Sequence, residues 1–374
     1  MPKSSLRNLT NLQGKRVLIR VDFNVPQDEQ GRITNDRRIR SAVPTIQHCL
    51  QAGASVICMS HLGRPKGDPK KDAAFKMDPV AVRLGELLGR PVKKLDEVVG
   101  PRVAAEVARM QPGSVVLLEN LRFHPGEQKG DEAFAAELAS LGDVYVNDAF
   151  GTCHRTDASM YAVPRAMQGK PRVVGFLVAK ELEILANLLG SPPRPLIGVM
   201  GGAKVSDKIG FIKSLLGRVD RLLIGGAMTY TFMKALGQGI GNSRVEADKL
   251  DVARELLELG KGKITLPVDH LIADRLDSAA NTKIVEGPIP DGWLGLDIGP
   301  KTIAEYASAI RSAGTVVWNG PMGKFEDEPF SKGTRAIAEA MAESKAVTIV
   351  GGGETAEAVE AFRLDDRMTH VSTG

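Results

Sequence analysis

Cysteine is scarce: there are three in 374 residues, Cys49, Cys58 and Cys153, and no CxxC pair. An odd count without paired spacing gives no disulfide framework and no zinc ribbon, and it fits a reducing compartment. Aromatic residues are only 5% of the chain, too few for a groove that stacks bases on rings. No apolar run reaches the ~18 residues of a membrane span. The opening MPKSSLRNLT lacks the apolar core of a signal peptide. A cytoplasmic protein with neither nucleic acid nor membrane as partner is expected. Several catalytic signatures are also missing. There is no GxSxG elbow, no GxxxxGK[ST] loop, no GxGxxG opening the first helix of either half, and no His/Cys cluster with transition-metal spacing. These absences weigh against serine hydrolases, P-loop enzymes and nicotinamide oxidoreductases.

What is plentiful is glycine, with 40 residues, mostly at the ends of apolar runs. At 374 residues two domains are expected. Short β-branched runs at 16–21, 55–59, 114–118, 144–147 and 172–175 alternate with amphipathic stretches such as 39–52, 78–88 and 131–141. That alternation predicts an α/β protein with parallel sheets covered by helices on both faces, hence a monomer. The second half repeats the rhythm with strands at 196–200, 221–224, 264–267, 315–318 and 347–350. Leu177, Val178, Leu182, Leu185, Ala186 and Leu189 follow helical spacing, Gly190 stops the pattern, and SPPRP at 191–195 is a stiff linker. The predicted organisation is two doubly wound, Rossmann-like domains, 1–175 and 191–374, joined by a hinge helix at 176–190. The formal charge is +4 overall, but +7 over 1–175 and −3 over 176–374. A basic first half suggests an anionic small ligand there, and a solvated surface would look the same.

The chemistry-bearing residues gather after strands, where open parallel sheets bind ligands. The first half has Asp22-Phe23-Asn24, Arg37-Arg38 opening a helix, Ser60-His61-Leu62-Gly63-Arg64-Pro65, Glu119-Asn120-Leu121-Arg122-Phe123, and the segment 147–155 ending in His154-Arg155. Arginine forks match phosphate and carboxylate oxygens, so a compact, doubly anionic, hydroxylated substrate is expected, with surface salt bridges as the bland reading. In the second half four strands run straight into glycine, at 201–202, 225–226, 319–320 and 351–353, which would let backbone N–H groups approach phosphate. Lys204 and Lys208 are four apart and would share one helix face, either around an anion or in solvent. Glu354, in the first turn of a helix, would either help hold Mg²⁺ or complement the helix dipole. A cationic first domain and a phosphate-binding second domain together suggest a kinase.

Six segments then carry a resemblance. SHLGRP at 60–65, ENLRFHPGE at 119–127, VNDAFGTCHR at 146–155, MGGAKVSDKI at 200–209, VVWNGPMG at 316–323 and GGGET at 351–355 occur in the order and spacing of the phosphoglycerate kinase family, and the chain resembles that family over essentially its whole length. The resemblance implies a two-lobed, hinge-bending monomer that transfers the acyl phosphate of 1,3-bisphosphoglycerate to Mg-ADP, giving 3-phosphoglycerate and Mg-ATP. It implies phosphoglycerate binding by Asp22, Phe23, Asn24, Arg38, His61, Leu62, Gly63, Arg64, Arg122 and Arg155. It implies nucleotide binding by Lys204, Gly295, Glu326, Gly351, Gly352, Gly353 and Glu354, with Glu326 at the ribose and Glu354 near Mg²⁺. Lys208 and Arg38 would reach the transferring phosphoryl group from the two lobes. Three features depart from the family's pattern: Asp157 where a second histidine is frequent, Glu354 where aspartate is usual, and an end at Gly374 where members continue through a glycine-rich turn and a last helix. A truncated C-terminus is the corresponding expectation, and a non-catalytic nucleotide-binding protein of the same fold is the alternative it raises.

Overall fold

The computed structural model describes residues 4–68 and 70–374, which divide into two compact units, Met1–Leu185 and Ala186–Gly374. In the first, β1 (Arg16–Val21), β2 (Ser55–Met59), β3 (Val92–Lys94), β4 (Val115–Leu117), β5 (Val144–Asp148) and β6 (Arg172–Val174) form one sheet in the order β3-β4-β2-β1-β5-β6. Every pairing is parallel. Side chains alternate between two cores. Val17, Ile19, Val21, Val56, Cys58, Val115 and Leu117 enter one; Leu18, Ile57, Met59, Val116 and Leu118 enter the other. Burial on both faces is why these strands read as continuous apolar runs rather than alternating ones. Each large side chain so buried contributes about 1.5–3 kcal/mol.

The chain leaves β1 toward β2 on one side and later returns to its other side as β5, so the topological switch point lies between β1 and β5. Ligands of open parallel sheets bind beyond the strand ends at such a point. Asp22 follows β1 directly, and Asp148 is the last residue of β5.

The second unit contains β7 (Leu196–Met200), β8 (Arg221–Ile224) and β9 (Ile264–Thr265), then β10 (Asp269–Ala273), β11 (Thr282–Glu286) and β12 (Leu294–Ile298), then β13 (Thr315–Asn319), β14 (Val347–Gly351) and β15 (His370–Val371). Its main sheet is again six-stranded, in the order β15-β14-β13-β7-β8-β9, and parallel throughout. Here the switch point lies between β7 and β13, beside Gly201 and Asn319. The fold is therefore α/β with two doubly wound parallel sheets. The sequence pattern does not predict the small antiparallel sheet β11-β10-β12. Its edge strand β11 is largely exposed, so it lacks a clear apolar alternation. This added sheet carries Gly295.

The helix Phe176–Leu189 spans the division between the units. Its first N–H groups have no intrahelical partner and are satisfied by side chains of the first unit. Phe176 N donates to Thr45 Oγ1 at 2.9 Å, and Leu177 N and Val178 N donate to Asp148 Oδ1 at 3.0 and 3.3 Å. Burial pushes the Asp148 carboxyl up to about 6, against the lowering effect of its hydrogen bonds.

Candidate functional site

In the first unit the residues after β1 and β2 are stitched together. Ser60 Oγ accepts from Phe23 N at 2.8 Å, and Asn24 Oδ1 accepts from Gly63 N at 2.8 Å. Asn120 Nδ2 donates to the carbonyls of Leu62 (2.7 Å) and Phe75 (2.9 Å), so the 60–65 loop is braced from the 119–123 segment. Arg122 Nη1 donates to Gly63 O at 2.7 Å. Arg38, in the first turn of the helix Arg37–Gln51, is held by buried Asp22 through an Nη1–Oδ2 contact of 2.5 Å. Arg155 lies 4.0 Å from Asp157, so the position that departs from the family pattern supplies a carboxylate to this arginine. Arg64 stands exposed on a loop tied by Asp72, which accepts from Lys66 N and Gly67 N.

Electrostatics tie the cluster together. His61 is 2% exposed, and its pKa is driven down to about 2, by burial first and then by the charges of Arg20, Arg122, Arg155 and Arg38. The imidazole is therefore neutral. Burial and the Arg155 charge also lower the pKa of Arg122. Arg122 Nε and Arg155 Nε are buried donors with no partner in the protein. Unpaired buried donors are costly, and two of them within a cationic cluster suit an anion.

The second unit uses different means. Gly201 N donates to Asn319 O (3.0 Å), Gly202 N to Pro321 O (2.9 Å), Gly225 N to Met200 O (2.7 Å) and Gly226 N to Met322 O (2.9 Å). The expectation that the 201–202 and 225–226 glycines offer N–H groups to phosphate is thus corrected, because these donors already bind carbonyls. What the glycines allow is close approach of backbone. A Cβ on Gly320, whose φ is +97°, would stand 2.3 Å from Gly201 O.

Lys208 Nζ caps this packed edge, donating to Gly201 O at 2.7 Å and Asn319 O at 3.1 Å. Burial pulls its pKa down to about 8, while Glu354 and Asp207 oppose the change. Lys204 does not share its helix face. The helical turn begins only at Ser206, and Lys204 lies exposed before it. Glu246 secures that turn, accepting from Val205 N (2.6 Å), Ser206 N (3.1 Å) and Ser206 Oγ (2.5 Å).

Gly351 ends β14, Gly352 precedes the helix Gly353–Ala361 with φ +86°, and Glu354 is exposed in that helix's first turn. Glu326 is exposed on the loop after β13. Gly295, on β12, has no room for a side chain because Tyr230 packs against it. Among the described residues no three His, Cys, Asp or Glu side chains are grouped to hold a metal ion, and no helix is long and apolar enough to cross a membrane.

Sequence reasoning assigns no role to Arg20, Glu127, Ser159 or Glu246. Arg20 carried one signal, a charged residue inside the buried run RVLIRV. The other three lie far from their partners along the chain.

The sequence model of the phosphoglycerate kinase family matches residues 6–374. A phosphoglycerate kinase of Anaeromyxobacter dehalogenans (strain 2CP-1 / ATCC BAA-258) is 54% identical over 367 residues, covering 97% of this chain and 92% of its own. One from Rubrobacter xylanophilus is 52% identical over 375 residues, covering 100% and 94%. The structure of phosphoglycerate kinase from Coxiella burnetii superposes with a TM-score of 0.85 at 41% identity, covering 100% of this chain and 94% of that one. With two switch-point edges, one cationic and one lined by glycine and lysine, and with similarity over nearly its whole length, the chain belongs to the phosphoglycerate kinase family.

Proposed function

We propose that the cationic edge of the first unit binds the phosphoglycerate and that the edge of the second binds the nucleotide phosphates, with Lys208 and Arg38 acting on the transferring group. The reaction is the reversible transfer of phosphate between 1,3-bisphosphoglycerate and ADP, giving 3-phosphoglycerate and ATP, a step of glycolysis. Nothing in the comparisons supports the non-catalytic alternative. The observation that carries the site assignment is the pair of buried, unpartnered donors, Arg122 Nε and Arg155 Nε, beside neutral His61.

Phosphoryl transfer needs positioning and charge neutralisation more than proton exchange. Asp22 orients the Arg38 guanidinium through one nitrogen and leaves the others for the ligand. Asn24, Gly63, Leu62 and Phe23 set the loop geometry that Arg64, Arg122 and Arg155 surround. In the second unit, incoming phosphate oxygens would take the Lys208 ammonium from its two carbonyls, and the negative charge restores its proton affinity. As the donor bond lengthens, charge grows on the equatorial oxygens, and Lys208 and Arg38 neutralise it. Lys204 and the 351–354 segment contact the nucleotide phosphates, while Gly295 and Glu326 contact the nucleoside. Magnesium arrives with the nucleotide as part of the substrate. Mg²⁺ keeps several waters and needs only one or two carboxylates besides phosphate oxygens, and Glu354 is the carboxylate assigned to it here. The enzyme works as a cytoplasmic monomer, its two sheets covered on both faces, with Phe176–Leu189 as the connecting helix.

Coupled turnover of 3-phosphoglycerate with Mg-ATP tests the assignment. Lys208→Ala and Arg38→Ala are each expected to lower kcat by about 10²–10³, with nucleotide binding retained in Arg38→Ala. Unchanged kcat in either variant would remove that residue from the mechanism.

A further inference from the structure

Behind His61 lies a chain of fully buried polar groups that the reaction does not itself require. Arg20, Ser159 and Glu127 are each 0% exposed. Glu127 Oε2 accepts from Ser159 N at 3.0 Å, and Ser159 Oγ lies 2.6 Å from Glu127 Oε1. Arg20 Nε donates to the same Ser159 Oγ at 2.8 Å, and Arg20 Nη2 lies 3.2 Å from His61 Nδ1. The third arginine nitrogen, Nη1, donates to Val21 O.

The direction of each bond follows from the atoms. Guanidinium nitrogens only donate, so Ser159 Oγ accepts from Arg20, and its single proton goes to Glu127. His61 Nδ1 likewise accepts. A neutral imidazole that accepts at Nδ1 carries its one proton on Nε2.

The serine is placed by unusual backbone. Residues Ala158–Ala162 form a single π turn, a feature found frequently at functional sites. The turn is fixed from two sides: Tyr145 OH donates to Ser159 O at 2.9 Å and Ala158 N to Glu127 O at 2.7 Å.

We infer that Glu127, Ser159 and Arg20 are positioning residues that hold His61 in the Nε2–H tautomer, so that it recognises an oxygen of the phosphoglycerate as a neutral, directional donor among arginines. The inference rests on the reading of His61 as a phosphoglycerate ligand. A histidine surrounded by cations could instead populate both tautomers, and one of them presents a lone pair to an anion. The buried chain removes that second state before substrate arrives.

The test uses the full chain. Long-range ¹H–¹⁵N NMR of His61 in the ligand-free protein reads the tautomer directly. Nε2–H is expected in the parent, and Nδ1–H there overturns the inference without any variant. Ser159→Ala and Glu127→Gln are expected to give a mixed tautomer, with a KM for 3-phosphoglycerate raised about 10-fold, and with kcat and nucleotide KM within about 2-fold. Ser159→Thr, which keeps the hydroxyl, is expected to restore the Nε2–H signature. An unaltered tautomer in both folded variants overturns the inference. If the tautomer shifts and KM does not, substrate positioning fails. His61→Gln then separates the causes: a raised KM means that His61 binds substrate but its tautomer is immaterial, and an unmoved KM means that His61 is not a ligand at all.

Discussion

Both units are built on a six-stranded parallel sheet whose first strand lies at the switch point, and they prepare for an anion in opposite ways. Beyond β1 and β5 the first unit presents side chains: Arg38 held by Asp22, Arg122 and Arg155 with unsatisfied nitrogens, and an uncharged His61. Beyond β7 and β13 the second presents backbone packed so tightly that glycine is obligatory, with one ammonium resting on two carbonyls. The first arrangement leaves donors unpaired in the free protein. In the second, the amides of Gly201, Gly202, Gly225 and Gly226 and the Lys208 ammonium are already bonded to carbonyls. A parallel-sheet edge therefore does not dictate how phosphate is held. It dictates only where the holding groups are placed.

If the second edge depends on backbone packing, adding a single methyl group should damage it more than removing a charge damages the first. Gly320→Ala brings a Cβ against Gly201 O at a positive φ. It is expected to cost at least about 2 kcal/mol in urea denaturation and to weaken nucleotide binding. Gly353→Ala, which meets nothing within 4 Å, is expected to be neutral or stabilising by up to ~1 kcal/mol. Equal losses in the two variants would break the contrast.

The first edge should show the reverse trade. Arg122→Met removes the buried, unpaired Nε together with the Nη1 bond to Gly63 O, while keeping an apolar stem. The KM for 3-phosphoglycerate is expected to rise about 10–100-fold, while the melting temperature of the free protein stays level, because relief of the unpaired donor offsets the lost bond. A clear loss of melting temperature would mean that this arginine serves the fold.

Two pH measurements sharpen the comparison further. The Lys208 pKa is lowered to about 8 in the free protein, and bound phosphate favours the charged form. Nucleotide binding at pH 8 is expected to take up about half a proton, read by calorimetry in buffers of different ionisation enthalpy and lost in Lys208→Met. Uptake that persists in Lys208→Met would assign the proton elsewhere.

The last measurement concerns Asp148, whose pKa is raised to about 6 from an ordinary 3.8. Its stabilising contribution is complete below the ordinary value and is lost as pH rises through about 6. Asp148→Asn should therefore gain stability relative to the parent as pH is raised from about 4 to about 7, followed by urea midpoints. A constant difference would show that Asp148 ionises as readily folded as unfolded.

Much of this was legible in the chain, for physical reasons that also mark the limits. β1, β2, β7 and β8 coincide with the runs at 16–21, 55–59, 196–200 and 221–224, because a strand buried on both faces is apolar along most of its length. β3 carries two lysines, β15 has two residues and β11 is mostly exposed, so none leaves that signature. The arginine and glycine segments proposed to meet substrate were legible because ligand edges collect these residues just after strands, whereas Gly295, inside β12, and Glu326 are implied only by the family resemblance. The support behind them was not. Glu127 and Ser159 are 32 positions apart and Arg20 and Ser159 are 139 apart, and only the folded sheet reveals that a buried acid, hydroxyl and base form one line. The paired-lysine expectation fails for a local reason: helical geometry begins only at Ser206, two residues after Lys204.

The glycine-lined edge has a consequence for how it meets deuterated water. Amides in connecting loops normally exchange early, because solvent reaches them without any unfolding. Those of Gly201, Gly202, Gly225 and Gly226 lie outside the strands yet are bonded to carbonyls across the edge. They should exchange with the slow class typical of central strands in the nucleotide-free protein. A protection map of the second unit would then trace the outline of its ligand edge before any ligand had been added.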